Sequence, residues 1–236
     1  MKSVAGSTRF IVPVILFLLI SCAPVHNYIH SDEVLHWEDD IHVFDSLNAI
    51  EPAGAGTLLV TGSSSVRLWN TIHQDLAPYQ VMQRGYGGAK LSDFNYYAPR
   101  IIQKGTLNGI LIFIANDIEG GGDDRTPREV FRLFKTLVEQ IRRHNPETPV
   151  FWIETTPTPS RWHVIDDVRK ANKLIRNFCE RNRDLHFIGT YDIYVNQSGL
   201  PDSAYFRNDM LHLNEVGYER WAERIKYNLQ EAAIEP

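Results

Sequence analysis

Two separated stretches of the chain carry the residue types of a serine nucleophile and its base. Gly62 and three serines, the middle one being Ser64, follow a short apolar run, and Asp209 stands three residues before His212 near the other end. A carboxylate that holds one imidazole nitrogen leaves the other free to take the proton of a serine hydroxyl. Each stretch also has an ordinary interpretation, since serines cap helices and an Asp-x-x-His pair is commonly a surface pair. The catalytic interpretation therefore requires a fold that brings them together.

Two further stretches supply the hydrogen-bond donors that such a nucleophile needs. Gly87 and Gly88 end the stretch that begins at Gln83, and Asn116 follows an apolar run. Attack on an ester creates a tetrahedral oxyanion, and donors fixed in advance around it lower the barrier. Glycine lets the backbone approach the substrate, and an asparagine amide donates without competing for the proton that the histidine must carry. These residues are candidates for an oxyanion hole.

Together and in this order, the four stretches resemble the sequence blocks of the SGNH hydrolases, also called the GDSL esterase/lipase family, over roughly residues 57–230. The resemblance implies that Ser64 is the nucleophile, with Ser63 where the family usually has aspartate. It implies that Asp209 and His212 are the acid and the base. It also implies hydrolysis of carboxylic esters through an acyl-enzyme, without a cofactor.

The same resemblance assigns the residues around the substrate. It implies an oxyanion hole made of the Ser64 amide, the Asn116 side chain and a glycine amide, that of Gly88 or alternatively Gly87. Residues 156–162 look like a loop of the same subgroup and are expected to frame the pocket. We expect three further residues to belong to the substrate pocket: Arg67, Tyr86 and Arg161.

Some positions depart from the family pattern. Ile114 stands where the third block usually has glycine, and Gln83 stands where the second usually has asparagine. Ala89 and Lys90 follow the glycines and are expected to narrow or charge the mouth of the pocket. None of these changes removes a group that the mechanism needs. They leave open a second class of function, a binding protein of the cell envelope that kept the fold without turnover.

The elements that must position these residues alternate along the chain. Short apolar or β-prone runs predict strands at residues 57–61, 79–83, 109–115, 149–154 and 186–190. The prediction for residues 79–83 is the weakest of the five. Helical periodicity predicts amphipathic helices after Thr126, over residues 164–181 and after Asn214, and a shorter surface piece around Trp37, Ile41 and Phe44. This alternation predicts an α/β fold, a three-layer α/β/α sandwich with a flavodoxin-like, mostly parallel sheet. Ligands of such sheets bind beyond the carboxyl ends of the strands.

The first residues indicate export. Lys2 and Arg9 precede an apolar run that is too short for a membrane span, and the run ends in Leu-Ile-Ser before Cys22. This resembles a bacterial lipobox, so residues 1–21 are expected to be a signal peptide and Cys22 the lipid-modified first residue of the mature chain. An ordinary cleaved signal peptide is the alternative. The predicted organisation is therefore a leader (1–21), a tether with a surface segment (22–50) and one hydrolase domain (51–236).

Composition excludes several other classes of protein. A hydrophobic content of 43% and a charged content of 22% are typical of a packed globular chain. Without Lys2 and Arg9 the chain has 22 basic against 29 acidic residues, a net charge of −7, which disfavours binding to nucleic acid. With Cys22 acylated, Cys179 has no disulfide partner and is expected to be a buried apolar residue.

No metal site is expected. The remaining histidines lack the spacing of metal ligands, and the stretch from Gly120 to Asp124 lacks the oxygen-ligand spacing of a calcium loop. We expect that stretch to be a turn at the lip of the active site. Attached by lipid to a membrane of the bacterial envelope, at the outer membrane or cell surface, the enzyme would meet acylated carbohydrate. Short O-acetyl esters of carbohydrate are the expected substrates, and lysophospholipids or other lipid esters are the alternative.

Overall fold

The computed structural model describes residues 32–51 and 54–236. The predicted leader, the predicted lipidation site Cys22 and most of the predicted tether lie outside these residues. Within the described part of the chain, no helix is both long enough and apolar enough to cross a membrane.

Five parallel strands form the central sheet. They are β1 (Thr57–Gly62), β2 (Gln80–Gly85), β3 (Leu107–Phe113), β4 (Val150–Ile153) and β5 (Leu185–Ile188). Their spatial order is β2-β1-β3-β4-β5, which is the flavodoxin-like order. Each predicted strand is present, and the weakly predicted second one pairs with β1 from Gln80 to Gly85. The predicted fold class is therefore confirmed.

Helices cover both faces of the sheet. The described chain forms α1 (Asp32–Leu35), α2 (Glu38–Ile50), α3 (Ser64–Arg67), α4 (Ile72–Asp75), α5 (Leu91–Ile101), α6 (Pro127–His144), α7 (Ile165–Cys179) and α8 (Glu215–Glu231). Buried side chains of α2, α5, α6 and α7 join one core cluster, and those of α3, α4 and α8 join the other. Alternate residues of β1 enter opposite clusters, Leu59 the first and Leu58 the second. The result is three layers.

Side-chain and backbone hydrogen bonds at its first residues determine where helix α6 begins. Thr126 caps it and accepts a hydrogen bond from the Glu129 amide, while the Glu129 carboxylate accepts one from the Thr126 amide at 2.8 Å. Pro127 occupies the first helical position, where no amide hydrogen is needed. The predicted start of this helix is the observed one.

Helix α5 is an element that the sequence patterns did not predict. Pro99 lies inside its last turn, and proline is normally a signal to stop a helix. Polar residues also interrupt its buried face: Asn95 is 3% exposed and donates to the carbonyls of Leu91 at 2.7 Å and Leu133 at 3.1 Å. A buried face that is partly polar weakens the apolar period by which such helices are recognised.

The N-terminal helices α1 and α2 pack against α5. Val34, Ile41 and Phe44 are buried in the same core cluster as the sheet. On the surface, Arg100 pairs with Glu38 at 2.6 Å and with Asp45 at 2.5 Å. This segment was predicted to lie on the domain surface with its apolar edge inward, and Ile41 and Phe44 on that edge do enter the core.

The strand order determines where the candidate catalytic residues lie. The chain leaves β1 toward one side of the sheet and β3 toward the other, so the carboxyl ends of these two neighbouring strands border a crevice. Ser64 follows β1 and Asn116 follows β3. The two predicted groups thus start on opposite sides of the same crevice.

Candidate active site

A tight turn at the end of β1 presents the nucleophile. Gly62 has a φ of +130°, and a Cβ at this position would lie 1.9 Å from the carbonyl oxygen of Phe113. Any side chain would therefore collide with the backbone of β3, so the turn requires glycine. The amide of Ser63 donates to the same carbonyl at 2.8 Å, and Ser64 then begins α3. The nucleophile is held directly above the strand end.

Asp209, His212 and Ser64 form a continuous hydrogen-bonded relay. Nδ1 of His212 lies 2.7 Å from Oδ2 of Asp209, and Nε2 lies 3.0 Å from Oγ of Ser64. An ionised carboxylate only accepts hydrogen bonds, so Nδ1 carries the hydrogen and Nε2 is left to accept the serine hydroxyl. This tautomer is the one that a general base needs.

The Asp209 carboxylate is fixed by its own loop. Its Oδ1 accepts hydrogen bonds from the amides of Leu211 and His212, each at 2.9 Å. Burial acts to raise the pKa of Asp209, but the hydrogen bonds from the His212 ring and from the two amides outweigh it and lower this pKa to about 2. The carboxylate is therefore ionised throughout the neutral pH range and stabilises the imidazolium that forms during catalysis.

The three segments predicted to form the oxyanion hole meet at the same edge of the sheet. Nδ2 of Asn116 donates to the carbonyl of Ala89 at 3.0 Å, which places the glycine turn beside it. Gly88 in that turn has a φ of +68°, and a Cβ there would come within 3.2 Å of the Trp37 indole. Ser64 is the first residue of α3, so its amide has no partner within the helix.

A small pocket opens in front of the Ser64 hydroxyl. It has a cavity volume of about 30 Å³. Both apolar side chains and threonines line it, and the residues around it include Phe113, Ile118, Thr155, Thr156, Thr158, Ile165, Val168, Leu211 and Leu213. The pocket thus combines apolar surface with hydroxyl groups.

Of the three predicted pocket residues, Arg161 lines this pocket and the other two do not. Arg67 is exposed at the end of α3, with its guanidinium lying over Gly87. Tyr86 is completely buried, and its hydroxyl donates to the carboxylate of Asp93. Tyr86 precedes the glycine turn in the sequence, but a side chain next to a strand points to only one face of the sheet. For Tyr86 that direction is into the core and not into the pocket.

The departures from the family pattern are accommodated away from the pocket. Ile114 is 2% exposed and belongs to the core cluster that contains α6 and α7. Gln83 donates to the carbonyl of Val66 at 2.6 Å and to that of Trp69 at 3.2 Å, so it satisfies backbone oxygens behind the nucleophile. Neither residue lines the pocket at Ser64.

Several pocket residues were not identified from the sequence. Ile165 and Val168 are at the start of α7, where their spacing marks them only as part of an apolar helix face. Thr155 follows β4, and its position after a parallel strand was the available signal. Thr156 and Thr158, in the loop that was expected to frame the pocket, do line it.

Asp124 organises the glycine-rich turn beside the pocket. Its carboxylate accepts hydrogen bonds from the amides of Glu119 at 3.0 Å, Gly120 at 2.8 Å and Gly121 at 3.2 Å. Burial acts to raise the pKa of Asp124, but these amide hydrogen bonds outweigh it and lower the pKa. Over residues 32–51 and 54–236, no three His, Cys, Asp or Glu side chains are grouped to hold a metal ion.

Two buried carboxylates support the oxyanion side. Asp93 accepts hydrogen bonds from the Tyr86 hydroxyl and from the Lys90 amide at 3.0 Å, and Asp117 accepts one from the Leu91 amide at 3.0 Å. Burial raises the pKa of Asp93 to about 7 and that of Asp117 to about 6, although the hydrogen bonds act in the opposite direction. Both carboxylates hold the chain between the glycine turn and α5.

Comparison with known proteins identifies a family and solved structures of similar fold. The model of the GDSL-like Lipase/Acylhydrolase family matches residues 52–220. Similar solved structures include a Streptococcus pneumoniae protein provisionally described as a platelet activating factor, with a TM-score of 0.73, 18% identity, and coverage of 87% of this chain and 96% of the other. A GDSL-like lipase from Bacteroides thetaiotaomicron has a TM-score of 0.66, 18% identity, and coverage of 81% and 98%. An acetyl xylan esterase has a TM-score of 0.60, 16% identity, and coverage of 73% and 99%. The search of curated proteins found no match.

Proposed function

The chain belongs to the GDSL-like lipase/acylhydrolase family and is a carboxylic ester hydrolase, and we propose that it cleaves short acyl esters of carbohydrate through an acyl-enzyme on Ser64. The observation that supports this mechanism most strongly is the relay from Asp209 through His212 to Ser64, with distances of 2.7 Å and 3.0 Å. The relay couples a fixed negative charge to a serine hydroxyl in the orientation that nucleophilic attack needs.

The reaction proceeds in two halves. Nε2 of His212 takes the hydroxyl proton as Oγ of Ser64 attacks the ester carbonyl carbon, and the carbonyl oxygen becomes an oxyanion facing the Asn116 side chain and the Ser64 and Gly88 amides. The bond to the alcohol then breaks, and the alcohol leaves with the proton from His212. A water molecule gives a proton to His212 and attacks the carbonyl carbon of the acyl-enzyme. The bond from that carbon to Oγ of Ser64 then breaks, His212 returns the proton to Oγ, and the carboxylic acid is released.

The size of the pocket supports a short acyl group. A cavity volume of about 30 Å³ is small, and a water-sized group needs ~10–15 Å³ on this scale. The pocket therefore accommodates two or three such groups, which is the size of an acetyl group. The apolar side chains of Ile118 and Val168 in its lining suit the acetyl methyl.

Polar and aromatic groups near the pocket support a hydroxylated alcohol. Thr156 lines the pocket, and its buried hydroxyl has no hydrogen-bond partner among the described residues, so we propose that it binds a substrate hydroxyl. Trp37, beside Gly88, and Trp162, which follows Arg161, are both partly exposed and offer faces on which sugar rings stack. Structures similar in fold include enzymes named as an acetyl xylan esterase and an acetyl esterase, and these names guide the substrates to be tested.

A lipid ester is the second candidate substrate, because apolar surface continues beyond the pocket. A neighbouring cavity shares Ala115, Ile118, Thr155 and Val168 with the pocket and extends toward Trp152 between α6 and α7. A longer acyl chain would need these two spaces to merge. The proposed function predicts that they stay separate during turnover.

Chain-length kinetics test this proposal. The mature chain with Cys22 replaced should hydrolyse p-nitrophenyl acetate with a kcat/KM at least about tenfold above that for the octanoate, because a small pocket rejects extra methylenes by this amount or more. Acetylated xylo-oligosaccharides should be deacetylated, and lysophosphatidylcholine should not. Ser64→Ala should abolish each activity, and Ser198→Ala, in an exposed turn, should not change it. A preference for octanoate would establish the lipid enzyme, and hydrolysis that is absent or independent of Ser64 would refute the proposal.

We also propose that the protein is a lipoprotein of the bacterial envelope, attached through Cys22. The support is the lipobox-like end of the leader in the sequence. Cells fed a fatty-acid analogue should label the protein, and Cys22→Ala should abolish the labelling. Cys179→Ala is the matched control, because Cys179 is buried and its burial raises the pKa of the thiol to about 12. Labelling that survives Cys22→Ala would refute attachment at this residue.

A further inference from the structure

We propose that Arg161 is a positioning residue, which fixes the orientation of the Asn116 amide group so that an N–H, and not the carbonyl oxygen, faces the oxyanion. This inference rests on the proposed function, since it concerns the oxyanion hole of the same reaction. It assigns Arg161 an effect on the reaction through Asn116, in place of the contact with substrate that the sequence suggested.

Arg161 reaches the end of β3 with both terminal nitrogens. Nη1 donates to the carbonyl of Ala115 at 2.9 Å, and Nη2 donates to Oδ1 of Asn116 at 3.0 Å and to Oε2 of Glu119 at 2.7 Å. The side chain is 18% exposed. One guanidinium therefore binds three acceptors in the segment that carries Asn116, those of Ala115, Asn116 and Glu119.

The chemistry of the neighbours decides which way the Asn116 amide group points. A guanidinium has only hydrogen-bond donors, so the Asn116 atom that faces Arg161 must be the oxygen. The carbonyl of Ala89 only accepts, so the atom that faces it at 3.0 Å must be the nitrogen. These two contacts exclude the flipped orientation, and the second hydrogen of Nδ2 stays available for the oxyanion.

Without Arg161, one side of this restraint disappears. The Asn116 carbonyl oxygen would lose its partner, and the amide group could rotate to place oxygen near the developing negative charge, where it repels. A donor contributes to catalysis only if it is oriented before the reaction starts. The guanidinium charge next to Oδ1 also polarises the amide and strengthens its N–H as a donor.

Arg161 is itself held in place from two directions. Glu119 belongs to the turn that Asp124 organises through three amide hydrogen bonds. On the other side, the amide of Ser160 donates to the carbonyl of Met210 at 3.0 Å, so the Arg161 loop is tied to the loop that carries Asp209 and His212. The loop thus connects the oxyanion side of the site with the acid-base side.

The competing interpretation, direct substrate binding by Arg161, predicts different kinetics. A residue that binds the alcohol part of a substrate changes KM, and its effect varies with that alcohol. A residue that orients an oxyanion donor lowers kcat, and its effect is the same for every alcohol. Comparison of p-nitrophenyl acetate, phenyl acetate and an acetylated xylo-oligosaccharide separates the two.

The experiment is a double-mutant cycle between Arg161→Gln and Asn116→Ala. Loss of one oxyanion donor typically lowers turnover by ~10²–10³, so we expect Asn116→Ala to show this loss and Arg161→Gln to lower kcat by about 10–10² with KM little changed. Because Arg161 acts through Asn116, the double variant should be no slower than Asn116→Ala alone. Arg161→Lys, which keeps the charge but not the paired donors, should fall between Arg161→Gln and the parent.

Arg142→Gln is the control for a purely structural effect. Arg142 also binds backbone carbonyls, those of Thr148 and Asp184, but far from the pocket. It should lower the melting temperature without lowering kcat. Two results would overturn the inference: losses that multiply in the double variant, or an effect of Arg161→Gln that falls on KM and depends on the alcohol. If Arg161→Gln does not fold, Arg161→Lys is measured in its place and interpreted in the same way. A normal kcat in Asn116→Ala would instead contradict the proposed oxyanion hole.

Discussion

Asp209 has two separable tasks, and each oxygen of its carboxylate performs one. Oδ1 shapes the loop by accepting two amide hydrogens, and Oδ2 orients the His212 ring. Since only the second task needs a negative charge, an amide at this position would keep the loop and lose the tautomer. A substitution can therefore separate structure from catalysis at a single residue.

We predict that Asp209→Asn lowers kcat by about 10²–10⁴, with KM and melting temperature nearly unchanged. The asparagine nitrogen would face Nδ1 of His212 as a donor and force that nitrogen to accept, which leaves Nε2 protonated and unable to act as a base. Steady-state kinetics and thermal melting measure the two effects. Asp39→Asn on the exposed side of α2 is the control and should match the parent. A kcat within a factor of ten of the parent would show that the acid is dispensable.

At the residue scale, sequence predicted best the groups that do the chemistry themselves. Ser64, Asp209 and His212 were predictable as a set because each needs a fixed residue type, and the structure brings the three together. The positions of Tyr86 and Arg67 were not predictable, because the direction of a side chain just after a strand, or at the end of a one-turn helix, depends on how that element packs. The link between Arg161 and Asn116 also depends on two loops whose contact leaves no local pattern.

Among the elements, α5 is the one whose stability should respond to pH. Asp93 lies in its first turn, 5% exposed, where burial raises its pKa to about 7. In the unfolded chain an aspartate has a pKa of about 3.9. The folded state therefore binds an extra proton, and this contribution to stability is complete below about pH 4 and is lost as the pH rises through 7.

We predict that the difference in melting temperature between Asp93→Asn and the parent shifts in favour of Asn as the pH rises from 5 to 8. Asparagine has no charge to bury and can still accept the hydrogen bonds from Tyr86 and the Lys90 amide. The measurement is thermal melting of both proteins across this range. Asp39→Asn should show a difference independent of pH. A constant or falling difference for Asp93→Asn would mean that the Asp93 carboxylate is ionised in the folded protein at all these pH values.

At the scale of the whole molecule, the packed core includes residues that precede the part that the family model matches. That match starts at residue 52, yet Ile41 of α2 is fully buried in a core cluster that also contains β4 and α7 residues. The helix that follows the predicted tether is therefore packed into the enzyme. Trp37, just before this helix, contacts the turn that contains Gly88.

We predict that Ile41→Ala lowers the free energy of unfolding by about 2–4 kcal/mol, the usual cost of truncating a fully buried isoleucine. Val43→Ala on the same helix, where the valine is 56% exposed, should change it by less than about 0.5 kcal/mol. Urea unfolding of both variants measures the contrast. Equal effects of the two substitutions would show that α2 adds nothing to the core in solution.

The architecture was predictable from the sequence to a large extent, because each buried strand is a nearly continuous apolar run and helices α6, α7 and α8 have regular apolar faces. The flavodoxin-like strand order was expected from the resemblance of the four stretches to the family's sequence blocks, and the parallel pairing from the alternation of strands and helices. What escaped prediction was α5, whose buried face includes Asp93 and Asn95. Burial of polar groups is decided by tertiary partners, and a single sequence does not reveal them.

The central claim is that Ser64 attacks the substrate with His212 as its base, and covalent labelling tests it most directly. A fluorophosphonate reacts with an activated serine and leaves a stable adduct, which peptide mass spectrometry assigns to one residue. We predict one adduct per chain, on Ser64, with esterase activity lost in proportion to labelling, and greatly slowed labelling in His212→Ala. Full activity in a completely labelled protein, or an adduct on a different serine that accounts for the loss of activity, would contradict the account.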